Sequence, residues 1–172
     1  MNNRIKYILV LDIFLLLISI FGILNPFLGI LNIRNCMLIL LISFSFINAF
    51  KFLYKKDYSD FETLYYCMAG CIFALIMYFF KIESNKNLAL FILLWVFVLS
   101  LIKLVKCDNY HDDDNLLWVS KLSSIVIFMI VGFVTAINLG NGRVVNIIII
   151  SYFFFINYVL DFMHDVFEMI RG

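Results

Sequence analysis

The chain has 172 residues, 65% of them hydrophobic and 15% charged, with a mean hydropathy of +1.03. Soluble domains are about half apolar and about a quarter charged, so this composition excludes a water-soluble globular domain and makes the bilayer the solvent. A net charge of +1, with basic residues spread among the connections rather than gathered on one face, excludes a general attraction to nucleic acid.

Six apolar runs separated by short polar stretches cover residues 7–24, 36–54, 63–80, 88–105, 119–139 and 144–163. Each is long enough to cross about 30 Å of hydrocarbon as a helix at 1.5 Å per residue, and lipid leaves no partner for exposed backbone groups, so helices are expected. Phe, Leu and Ile on every face exclude the alternating pattern of a transmembrane barrel. The fold class expected is all-α: a single transmembrane domain over 1–172, six transmembrane helices arranged as three tandem helical hairpins at about 5–56, 62–107 and 118–168.

The first run follows Arg4 and Lys6, as a signal peptide would, but continues into Asn25-Pro26 without a small-residue cleavage site, so it reads as an uncleaved helix. Asp12 lies about a turn and a half inside it. The second run closes on Phe46-Ile47-Asn48-Ala49-Phe50-Lys51-Phe52. The third carries Cys67 and Cys71 one turn apart. With no Cys-x-x-Cys present, they read as small thiols packed between helices rather than a redox or soft-metal pair. The fourth holds Ser100 and Lys103 and leads into an acidic connection, Asp108, His111, Asp112, Asp113 and Asp114. Lys121 stands near the start of the fifth. The sixth carries Asn157 and Asp161, then His164, Asp165 and Glu168 at helical spacing on one face.

Lysine and arginine set the orientation, because cytoplasmic loops retain them during insertion. Placing the N-terminus inside puts nine of them (Arg4, Lys6, Lys51, Lys55, Lys56, Lys103, Lys106, Lys121, Arg171) on the cytoplasmic side and four (Arg34, Lys81, Lys86, Arg143) outside. The expectation is a multi-pass protein of the cell (inner) membrane with both termini cytoplasmic.

An internal repeat overlies this plan. Asn48, Ser100 and Asn157 occupy matching places near the ends of the even runs, and the same register, slid back about 26 residues, aligns Gly22, Ala74 and Gly132 in the odd runs. Three parallel hairpins about a pseudo-threefold axis along the membrane normal would follow. Ile20-Phe21-Gly22-Ile23-Leu24-Asn25-Pro26-Phe27, a short turn, and a second span closing on Phe46-Ile47-Asn48-Ala49 resemble the short repeat of the HdeD family. The resemblance implies a small bacterial inner-membrane protein of six spans, linked to acid resistance, with no defined biochemical activity and no functional residue to carry over. The second and third hairpins depart from the pattern: both lack the proline.

Ionisable side chains inside a bilayer are expensive, so each calls for a partner or a function. Asp12, Lys51, Lys103, Lys121 and Asp161 fall at similar depth, a cytoplasmic-side layer of three cations and two anions. The layer reads either as lysines snorkelling to the interface with the aspartates paired to them, or as a proton- or ion-binding cluster at the inner mouth of a pathway. Asn48, Ser100 and Asn157, with Ser43, Ser45, Thr135 and Asn146, are the intramembrane polar groups that line a cavity or bond helix to helix.

No cofactor or metal site is expected: the acidic connection lacks the glycine and terminal glutamate of a calcium loop, and a polar helical face is what a helix needs on leaving lipid. His164 beside carboxylates makes a pH response the more natural property. Without a Gly-x-Ser-x-Gly or His-Glu-x-x-His motif, the chain does not read as an enzyme. Its partners are the lipid bilayer and a possible homo-oligomer, with any small-molecule ligand unknown. A structural role, as an oligomeric scaffold in the membrane, stands beside the stress-related one. The competing class is a transport subunit or channel, since six spans and about 20 kDa also suit the substrate-binding subunit of an energy-coupling-factor transporter. Such a subunit needs an outer polar ligand cluster, for which Asn25, Asn32, Arg34 and Asn35 are the candidates.

Overall fold

Helices follow directly from the apolar runs, because a backbone in lipid must satisfy its own hydrogen bonds. The computed structural model describes residues 3–55, 61–80, 82, 84–112, 117–140 and 142–171, with side chains described over 6–54, 61–80, 82, 84–111, 117–140 and 142–167. Among them are six helices and no strand: α1 (Asn3–Leu28), α2 (Ile33–Lys55), α3 (Glu62–Phe80), α4 (Asn85–Asp112), α5 (Leu117–Asn138) and α6 (Arg143–Arg171). All six are long and apolar enough to cross a membrane.

The helices outrun the apolar runs at several ends. α1 continues through Pro26, which stands in the last turn, and stops at Gly29, whose φ of 65° is a left-handed conformation open to glycine. Gly29 N–H returns to Asn25 C=O at 2.8 Å and closes that turn. α4 and α6 extend beyond the expected 105 and 163, their polar continuations carrying the helix past the apolar run.

Each helix packs on its chain neighbours, α6 returns to α1 to close the ring, and α2 and α6 also touch across it. The most extensive packing is at α1/α6, α2/α3 and α4/α5, which join different hairpins of the expected plan rather than the two arms of one. Each of these joins has a glycine at its closest approach. A Cβ at Gly22 would lie 2.7 Å from Ser151 Oγ, a Cβ at Gly70 would lie 2.8 Å from Ser45 Cβ, and one at Gly132 would run into Val96. In α3 the close contact therefore belongs to Gly70, one turn before Ala74, the position that the repeat register had aligned with Gly22 and Gly132. Missing side chains let backbones approach, which is how helices associate where the hydrophobic effect offers no net drive.

The middle of the bundle is aromatic. Trp95 is fully buried, with ring centroids of Phe44, Phe73 and Phe154 at 5.4, 5.0 and 5.9 Å, and Tyr158 stacks on Phe44 at 5.9 Å. The outward face is the inverse of a soluble protein's: Phe79, Phe80 and Ile137 are 70%, 76% and 81% exposed, while Lys103 is wholly buried. In water that arrangement would forfeit both the hydrophobic effect and charge hydration; in lipid the apolar surface meets its own kind.

Candidate functional site

The chain alternates direction at every helix, so the start of each odd helix and the end of each even one share the end of the bundle that carries both termini. Asp12 lies near the start of α1, Glu62 opens α3 and Lys121 lies in the second turn of α5; Lys51, Lys103 with Lys106, and Asp161 with Asp165 lie toward the ends of α2, α4 and α6. All eight meet there in three connected groups.

In the first group Lys51 Nζ is held between Asp12 and Asp165, the latter at 2.9 Å, tying α2 to α1 and α6. In the second, Glu62 accepts from Lys121 at 2.6 Å and from the Tyr66 hydroxyl at 2.6 Å, and pairs with Lys106 at 3.3 Å, joining α3, α5 and α4. In the third, Lys103 donates to Asp161 at 2.8 Å and to Asn157 Oδ1 at 2.9 Å, linking α4 to α6, with its ammonium 4.6 Å from the centre of the Phe128 ring. Lys51, Lys103, Lys106 and Lys121 thus oppose Asp12, Glu62, Asp161 and Asp165, four charges of each sign.

A cavity of about 20 Å³ lies within the network, lined among others by Asp12, Asn48, Lys51, Glu62, Lys121 and His164. It holds one water at most. Three buried polar atoms of its lining residues have no hydrogen-bond partner among the described residues: Asp12 Oδ2, Thr63 Oγ1 and His164 Nδ1. Phe44 forms part of the inner wall and carries the aromatic cluster behind it. Asp161 and Asp165, with side chains 16% and 14% exposed, form its edge toward the aqueous side.

Of the residues that the sequence singles out, Asp12, Lys51, Lys121, Asp161 and Asn48 line this cavity, and Lys103 and Asn157 join it through Asp161. Asn48 Nδ2 bonds back to Phe44 C=O of its own helix, and the Ser100 hydroxyl is buried with no partner among the described residues. Glu62, Lys106 and the membership of Asp165 and His164 escaped the sequence reading, although charge balance pointed to them. A layer of three cations and two anions leaves one buried ammonium uncompensated, so at least one further carboxylate was due. Of the acidic connection, the Asp112 side chain, Asp113 and Asp114 lie outside the described residues, as does the Glu168 side chain.

At the opposite end the polar groups are engaged in the turns. Asn25 bonds both backbone groups of Leu31 at 2.9 Å, Asn32 Oδ1 accepts from Asn35 N–H at 2.8 Å, and Arg34 donates to Tyr78 C=O at 2.5 Å. Asn146 does the same between α5 and α6, accepting from Gly140 N–H and donating to Asn85. An apolar groove of about 300 Å³ between α5 and α6, bordered by exposed Ile130, Val134 and Tyr152, is surface for lipid chains.

Among the described residues, no three His, Cys, Asp or Glu side chains gather in the geometry of a metal site. Comparison of the chain with protein-family models, with curated proteins and with solved structures gives no match.

Proposed function

We propose that the chain is a non-enzymatic, HdeD-like protein of the cell (inner) membrane, with both termini in the cytoplasm, that serves in resistance to acid stress. In this reading the charge network is its proton-responsive element. The observation that carries it is Asp12: a carboxylate 1% exposed inside a transmembrane helix, paired to Lys51 through one oxygen while the other stands unpartnered at a polar cavity. A charge in lipid carries a cost, about 2.5–3.5 kcal/mol at a helix centre on insertion scales, which packing alone does not require.

The sign of the response follows from the partners. Proton uptake at Asp161 leaves Lys103 short of a counter-charge in lipid, and uptake at Asp12 leaves Lys51 with Asp165 alone, so acidification loosens the joins between helices at this end. The orientation that nine basic residues against four favour would expose this end to the cytoplasm, where acid stress is felt. Growth and cytoplasmic-pH recovery after an acid shift, in deletion cells complemented with wild type or Asp12→Asn, test the reading. Failure of both the deletion and the Asp12→Asn strain is expected; recovery equal to wild type in both overturns the acid-stress role.

A transport subunit resembling the substrate-binding component of an energy-coupling-factor transporter has less support. Of the outer polar residues it would need for a ligand, Asn25 and Asn32 are bonded to backbone around the α1–α2 turn, and Arg34 of α2 donates to Tyr78 C=O of α3. Saturable thermal stabilisation of purified protein by a vitamin-sized ligand would favour that class instead.

A further inference from the structure

Asp12 sits too deep to exchange protons with water directly, and the titratable groups around it divide into those engaged with one another and His164, whose Nδ1 has no hydrogen-bond partner among the described residues. From α2 it faces Lys51; from α6, Asp161, Asp165 and His164; across the cavity stand Glu62 and Tyr66 of α3 and Lys121 of α5. The lysines and carboxylates among these are engaged with one another. His164 differs. It is 3% exposed, its Nδ1 has no hydrogen-bond partner among the described residues, and its Nε2 lies 3.4 Å from the hydroxyl of Tyr110, a half-buried residue of α4 whose ring stands 5.3 Å from the Lys106 ammonium.

We propose that His164 is the proton-transfer residue connecting the buried cavity to the aqueous phase at the end that carries both termini. The imidazole touches both sides: Nε2 meets the hydroxyl of half-buried Tyr110, and the ring lines a cavity sized for one water, its Nδ1 unpartnered. With Nε2 accepting from the Tyr110 hydroxyl, the neutral ring carries its proton on Nδ1. A proton from bulk water passes through the hydroxyl to Nε2. The Nδ1 proton leaves to the cavity water, which gives one of its own to Asp12 Oδ2. One O–H bond forms at Asp12 and one N–H bond at Nε2 as one N–H bond breaks at Nδ1, and the starting tautomer returns when Asp12 gives its proton back along the same route. The inference rests on the proposed role of Asp12 and adds its route of access.

Infrared difference spectra of the protein in liposomes test it. Acidification should raise a carboxylic-acid carbonyl band that is lost in Asp12→Asn. After a rapid pH jump, His164→Gln should reach the same final band, slowed by on the order of tenfold or more, with added imidazole restoring the rate. Tyr110→Phe should slow it as well and carries the test if His164→Gln does not fold. An Asp12 band that rises as fast in both variants as in wild type overturns the relay and leaves the reading of Asp12 standing. A wild-type spectrum without any band that Asp12→Asn removes overturns both.

Discussion

A buried lysine with a single carboxylate partner and one with two respond differently to losing a negative charge. Glu62 serves Lys121 and Lys106 together, so Glu62→Gln takes the carboxylate from Lys121 and loosens Lys106 at once, whereas Asp165→Asn leaves Lys51 with Asp12. Breaking a buried pair costs about 3–5 kcal/mol, and Glu62→Gln should reach that range in detergent unfolding; Asp165, partly open to water, should cost about 1 kcal/mol or less. The opposite construction is also informative. Lys103→Met alone leaves Asp161 uncompensated, while Lys103→Met with Asp161→Leu removes the charges together and should recover most of the loss, since apolar replacements of whole buried pairs are often neutral. These partners were only half legible in the sequence. Depth along a run locates Asp12 and the lysines, but which carboxylate meets which lysine depends on helix rotation, which an all-round apolar helix does not announce.

At the level of elements, existence was legible and contact was not. Runs of 18 or more mostly apolar residues without strand alternation identify all six helices, since a run of that length in lipid satisfies its backbone as a helix. The extensions of α4 and α6 carry polar residues and so lie outside any hydropathy signal. The helix joins depend on single glycines, and the repeat register put the middle one a turn late. Gly70→Ala drives a methyl group against Ser45 and should destabilise the α2/α3 join by about 1–3 kcal/mol in the same unfolding assay. Asn25→Ala removes two hydrogen bonds from the α1–α2 turn and leaves Leu31 groups unanswered, for a loss of about 1–3 kcal/mol.

For the whole molecule, the decisive property is which end faces the cytoplasm. Single cysteines at positions 34, 86 and 141, in a chain freed of its own four cysteines, should react with an impermeant thiol reagent in intact cells, and those at 55 and 113 should be shielded. The reverse pattern would turn the charge network outward and end its link to cytoplasmic acid. The inverted surface, with Phe and Ile outside and lysine within, is the global signature of a lipid solvent, and composition alone made it legible.

The ion pairs have a consequence for how the chain is made. Asp161 and Asp165 are synthesised last, yet they hold Lys103 and Lys51 of helices that emerge from the ribosome long before. Until α6 arrives, Lys103 lacks its carboxylate and Lys51 has Asp12 alone, so the first five helices are joined without these pairs. A chain ended after α5 should therefore be a substrate for membrane quality-control proteolysis, and assembly should complete in one late step when α6 closes against α1.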